Sequence, residues 1–251
     1  MNDIQQHTNR IFELSLKVAQ YYVSSRYKHN FSGNGDDFIH KLRSSIQFRV
    51  DAVGWHYINL QTLHESAEAE YLHRLKNNEE WGQLISHLRQ QYFLFDDIVF
   101  NLISLFEYVG NLVGYFWKGE HGKTLKWKGV AKSALDKSNE FPCLKVANVI
   151  ANADRQLVTK LEDYRANIFH YQNHMGAVGT RIEFPSEGNP IKIDIEISDR
   201  FKKIFKGFSV EPNQNELIAY SKHAIMNSFE TIEKIMDHFL EWPIEPLSRK
   251  I

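Results

Sequence analysis

Residues Ile98 to Trp117 constrain the fold more than any other segment. The stretch is strongly apolar and about long enough to cross a bilayer. Yet it contains Asn101, Ser104, Glu107 and Asn111, and Asp96 and Asp97 stand just before it. A carboxylate at mid-bilayer depth is costly. The segment is therefore expected to be a central helix, covered by neighbouring helices of a soluble bundle. The 251 residues suffice for one large domain or two small ones, and 43% hydrophobic with 13% aromatic content supplies a substantial core.

Helical periodicity dominates elsewhere. Ile11, Leu14, Val18, Tyr21 and Tyr22 recur at spacings of three and four within Asn9 to Tyr27. Phe31-Ser32-Gly33-Asn34-Gly35-Asp36-Asp37 reads as a loop whose aspartates can cap the next helix. That helix is expected over Phe38 to Lys76, with a break near Gly54. The next is expected over Glu80 to Trp117, with a bend near Gly82. Lys118 to Glu140, with glycines at 119, 122 and 129 and six lysines, reads as a long basic connection containing a short helix near Val130 to Leu135. Phe141-Pro142 opens a helical region to about Met175, interrupted near Asn152. Isoleucines at 191, 193, 195 and 197 alternate with polar residues, and Arg181 to Phe184 faces them across a Gly/Pro turn. This predicts a β-hairpin with one buried face. A last helix runs from about Gln214 to Leu240 and stops at Trp242-Pro243.

The expected fold is thus mainly α: a helical bundle with a small β-hairpin insertion before the last helix. It forms a single domain over 1–251. The bundle core lies at about 38–175 and 213–241, the N-terminal helix at 3–29 and the hairpin at 180–198.

Composition narrows the function. A net charge of −1 gives no global pull toward nucleic acid or membrane, so a nucleic-acid role needs a local basic patch. Cys143 is the only cysteine, which excludes an intramolecular disulfide and fits a reducing, cytoplasmic setting. The N-terminal residues lack a basic region followed by an apolar run, so no signal peptide is expected. No cofactor, metal or membrane partner is predicted. Gly119-Glu120-His121-Gly122-Lys123-Thr124 fails as a P-loop, because Trp117 stands where the first glycine is needed and a helix precedes it. Glu70-Tyr71-Leu72-His73 has no second copy to build a di-iron site. His170 and His174 are one helical turn apart without an identifiable third metal ligand.

Tyr164-Arg165-Ala166-Asn167-Ile168-Phe169-His170 remains. At 100° per residue, Leu157, Leu161, Tyr164, Ile168 and Tyr171 form one narrow apolar stripe. Arg165 and His170 fall off it, about 140° apart, with Phe169 between them. Such a face makes sense if it packs against another element of the chain, or against a second copy across a two-fold axis, which would bring two arginines and two histidines into one cleft. Histidine titrates near neutrality and can move the proton of a ribose 2′-hydroxyl or of a leaving oxygen. Arginine can hold the phosphate. Asn167 could orient His170 or a base. The local alternative pairs Arg165 with Asp163 or Glu162 and leaves His170 an ordinary partly buried histidine.

Arg165-x4-His170, late in a helical domain, resembles the Arg-x4-6-His signature of the HEPN superfamily. That resemblance implies an α-helical bundle, commonly dimeric, and in many members a metal-independent endoribonuclease that serves as a toxin, a defence effector or an RNA-processing factor. The signature's arginine and histidine map to Arg165 and His170. Many members place a polar residue directly after the arginine; here Ala166 stands there and Asn167 follows it. The resemblance also implies a polar residue on an earlier helix, for which Asn101 is the candidate. Lys123, Lys126, Trp127 and Lys128 are candidates to guide RNA by charge and stacking. A non-catalytic module of the same fold, binding RNA, a nucleotide or a protein partner of the antitoxin kind, is the competing expectation.

Overall fold

In a computed structural model the protein is mainly helical. The structure describes residues 3–24, 35–77, 84–118, 125–136, 144–171, 177–183, 192–208 and 216–241. The helices are α1 (Asp3–Ser24), α2 (Gly35–Asn77), α3 (Leu84–Lys118), α4 (Trp127–Leu135), α5 (Leu144–Ala153), α6 (Thr159–Tyr171), α7 (Asp199–Ile204) and α8 (Glu216–Leu240). Strands β1 (Ala177–Glu183) and β2 (Lys192–Ile197) pair antiparallel, with Ile182 opposite Ile193 and a register shift between Ala177 and Gly179. Ile195 and Ile197 of β2 are buried, as the alternation requires.

Two sequence expectations about helix continuity are corrected. α2 runs unbroken through Gly54 for 43 residues. A lone glycine costs only about 1 kcal/mol in a helix, and the buried row Ile46, Val50, Val53, Tyr57 and Leu60 continues across it. The expected interruption near Asn152 is a π-helical turn, Asp154–Val158, which joins α5 to α6 without a break. Such turns insert one residue into the helical ladder and shift the face that follows. α4 also starts earlier than expected, because Trp127, Val130 and Ala131 form its buried stripe.

The chain falls into two compact units. The first comprises Met1–Asp51, Leu102–Thr159 and Met226–Ile251. Its core includes Ile11, Leu14, Val18 and Tyr22 of α1, Phe106, Val109 and Phe116 of α3, and Phe229, Ile232 and Phe239 of α8. Tyr22 and Tyr115 share a hydroxyl–hydroxyl hydrogen bond of 2.8 Å, and α1 is tied to α8 by His7–Glu233 at 2.7 Å and Arg10–Asp237 at 3.2 Å. The second unit comprises Ala52–Asn101 and Lys160–Ile225. Its centre is an aromatic cluster of Phe95, Tyr164, Phe201, Phe205 and Tyr220.

By length and composition the stretch Arg89–Lys118 in α3 could cross a membrane, but 72% of its most apolar window is buried within the fold. A core helix has that property. Gly110 is where α4 docks closely on α3. A β-carbon there would lie 2.7 Å from the Trp127 backbone nitrogen. The same nitrogen donates to Glu107 at 3.1 Å, so the acid inside the apolar segment has a defined acceptor role.

Candidate functional site on α6

Tyr164 fixes the position of α6 within its unit. Its side chain is buried, and its ring meets Phe95 edge-on at 5.2 Å and Phe201 at 5.4 Å. Its hydroxyl donates to the Asp96 carboxylate at 2.7 Å. Burial first, and the negative charge of Asp96 second, push the Tyr164 hydroxyl well above the ordinary tyrosine range. It therefore stays protonated as a donor. Leu161, one turn earlier, is also buried. The core face read from the sequence is thus the core face of the helix at these two positions.

Arg165 follows immediately and is half-buried. No carboxylate pairs with it among the described residues, so the expected local alternative of an ion pair with Asp163 or Glu162 is not what the structure contains. His170 is the penultimate residue of α6. The side chains of Ile168, Phe169 and His170 lie outside the described residues.

Asn167 is committed locally. Its Nδ2 donates to the Asp163 carbonyl at 2.6 Å and its Oδ1 accepts from Arg200 Nη2 of α7 at 2.5 Å. Asn101 is buried, and its Nδ2 donates to the Asp97 carbonyl one turn back at 2.7 Å. One further contact joins α6 to the α7 region: Lys160 Nζ donates to the Lys206 carbonyl and lies 5.1 Å from the Phe208 ring centre. Desolvation lowers the Lys160 pKa. The sequence reading missed Arg200, Lys206 and Asp96. The first two had a legible signal, since Arg200-Phe201-Lys202-Lys203-Ile204-Phe205-Lys206 sets two phenylalanines one turn apart among cations.

The RNA-guiding candidates divide. Lys123 lies outside the described residues, whereas Lys126 and Lys128 are exposed. Trp127 is a correction: its side chain is buried, its ring packs on Phe106 at 4.7 Å and its Nε1 donates to Asp154 of the π-helical turn at 2.8 Å. A tryptophan held this way offers no face for a base. Its burial follows from position, because Trp127 begins the apolar stripe of α4. Comparison with protein-family models, curated proteins and solved structures gives no match.

Proposed function

We propose that the protein is a HEPN-like, metal-independent endoribonuclease that acts in the cytoplasm as a homodimer. The observation that carries this reading is Arg165 itself. It stands on a helix anchored by Tyr164 and Asp96, it is partly exposed, and no carboxylate neutralises it among the described residues. A guanidinium in that state is suited to a phosphate. His170, five positions on in the same helix, supplies an imidazole, a group able both to accept and to donate a proton. In the proposed reaction a histidine accepts the 2′-hydroxyl proton while the 2′-oxygen forms its bond to phosphorus. The bond from phosphorus to the 5′-oxygen breaks, and that oxygen takes a proton from the histidine of the second copy. The products are a 2′,3′-cyclic phosphate and a 5′-hydroxyl. Arg165 stabilises the charge that develops on the phosphoryl oxygens.

A second reading is a non-catalytic module of the same fold that binds RNA, a nucleotide or a protein partner. What favours it is the engagement of Asn167 with Arg200 and Asp163, which takes up the amide that would orient the histidine.

Incubation of the purified chain with mixed RNAs in a chelating buffer separates the two. Cleavage to cyclic-phosphate ends that disappears in both Arg165→Ala and His170→Ala supports the ribonuclease. Cleavage indifferent to either substitution removes the mechanism. A strictly monomeric solution mass removes the two-copy cleft.

A further inference from the structure

We propose that α7 and the turn after it form a cationic ridge that carries the backbone of single-stranded RNA alongside α6, ending at a base-stacking pair made by Phe208 and His223. The choice of RNA rests on the ribonuclease reading above; the ridge is argued from its own residues.

Arg200, Lys203 and Lys206 stand three residues apart and are all exposed. They face outward because Phe201 and Phe205, one turn apart on the same segment, are buried in the aromatic cluster. Lys202 does not belong to the row, since it is bonded to Glu216 at 3.0 Å. Lys203 and Lys206 have no carboxylate partner among the described residues; Asp199, next to Arg200 in the chain, and Asp163 on α6 are exposed acids.

Two hydrogen bonds align the row with the candidate site. Arg200 reaches Asn167, late in α6, and the Lys206 carbonyl accepts from Lys160, early in α6. The segment therefore runs antiparallel beside α6, with Arg200 bonded two residues beyond Arg165. At the other end the half-exposed Phe208 ring lies 4.4 Å from the His223 ring at 37° between planes, with Lys160 above it at 5.1 Å. Phosphate-binding cations that lead to a partly exposed aromatic pair are the combination that holds single strands with little sequence preference. The chain as a whole carries a charge of −1, so attraction of a polyanion has to come from a local row such as this one.

The test is fluorescence anisotropy of the full chain with labelled oligouridine and with an oligothymidine of equal length, across a salt series. The parent protein binds, and its affinity falls with salt. Arg200→Gln, Lys203→Gln and Lys206→Gln together weaken binding at least tenfold and make the logarithmic salt dependence shallower by roughly 2, at about 0.7 per lost phosphate contact. Phe208→Leu weakens binding about fivefold or more without changing that slope. Lys17→Gln, on the exposed side of α1, changes neither, and Lys126→Gln with Lys128→Gln reads the competing path over α4. If the triple variant loses its helical circular dichroism, the pair Lys203→Gln and Lys206→Gln, which touches no packed group, is read instead, with a slope shallower by roughly 1.4. A folded ridge variant with the parent's affinity and slope overturns the proposal, as does a parent that binds neither oligomer or binds only through α4. Binding lost in the ridge variants, with cleavage indifferent to Arg165→Ala and His170→Ala, keeps the ridge and removes only the ribonuclease. Cleavage that needs Arg165 and His170 but tolerates the ridge variants at parental affinity removes only the ridge.

Discussion

The Tyr164 hydroxyl reaches the Asp96 carboxylate at 2.7 Å from within a cluster of phenylalanines. This bond links the helix that bears Arg165 and His170 to the first half of α3. Tyr164→Phe keeps the ring contacts and removes only the donor, leaving a carboxylate short of its partner. Hydrogen bonds to charged groups contribute about 1.5–3 kcal/mol, so a loss of that size is expected in urea unfolding. A change below about 0.5 kcal/mol would mean that water replaces the donor without loss. If α6 is the catalytic helix, the same variant also lowers the cleavage rate by displacing Arg165.

Alkaline pH should destabilise the fold through its buried tyrosines. Burial raises Tyr57 from 10.0 to about 12, and Tyr92 and Tyr164 are also raised, by burial first and by the charge of Asp96 second. Above pH 10 the unfolded chain releases these protons while the native chain keeps them. Stability therefore falls with rising pH. For Tyr57 the contribution is fully present below pH 10 and is lost by about pH 12. Thermal melts across this window should show a falling midpoint, and Tyr57→Phe should make the fall less steep. A midpoint that is flat from pH 10 to 12 would contradict the burial of these hydroxyls.

Gly110→Ala tests the contact between α3 and α4. Its β-carbon would meet Trp127 backbone atoms at 2.7 and 2.8 Å, and backbone cannot rotate away as a side chain can. Overpacking of this kind costs about 1–3 kcal/mol. The expected result is a drop of that size in unfolding free energy, with an altered near-ultraviolet circular dichroism signal from the displaced indole. Gly54→Ala is the contrast. There a β-carbon meets nothing within 4 Å, and the better helix former should stabilise α2 by about 0.4–1 kcal/mol.

The helical content was legible because burial imprints a period. Ile11, Leu14, Val18 and Tyr22 show it in α1, and Leu161 with Tyr164 shows it in α6. What periodicity cannot show is how a glycine or an acid is used. Gly54 reads as a break although the stripe on either side of it is continuous. Glu107 reads as an interruption in an apolar run although it accepts from the Trp127 backbone. At the candidate site, Tyr164 as the core residue and Arg165 as its off-core neighbour were legible on the helical wheel. The Arg200–Asn167 bond was not, because it joins residues 33 positions apart and nothing in a local pattern encodes such a pairing. Trp127 shows the same limit from the other side. A tryptophan between lysines suggests a stacking platform, yet its position at the start of the α4 stripe buries it.

The Arg200–Asn167 bond gives the last prediction. Arg200 Nη2 and Asn167 Oδ1 bond on an exposed edge, so the pair should contribute only about 0.5–1.5 kcal/mol to stability. Asn167→Ala, Arg200→Ala and the double variant form a cycle in which this bond is the shared term. Unfolding of the three should show coupling of about 0.5 kcal/mol or more. The same cycle read on RNA cleavage decides what Asn167 does. If it positions Arg200, the double variant is no slower than Arg200→Ala alone. If it acts on substrate or on His170 directly, the two single effects multiply. Additive energies in unfolding, together with multiplied effects on rate, would show that the bond is incidental and that Asn167 serves the site independently of α7.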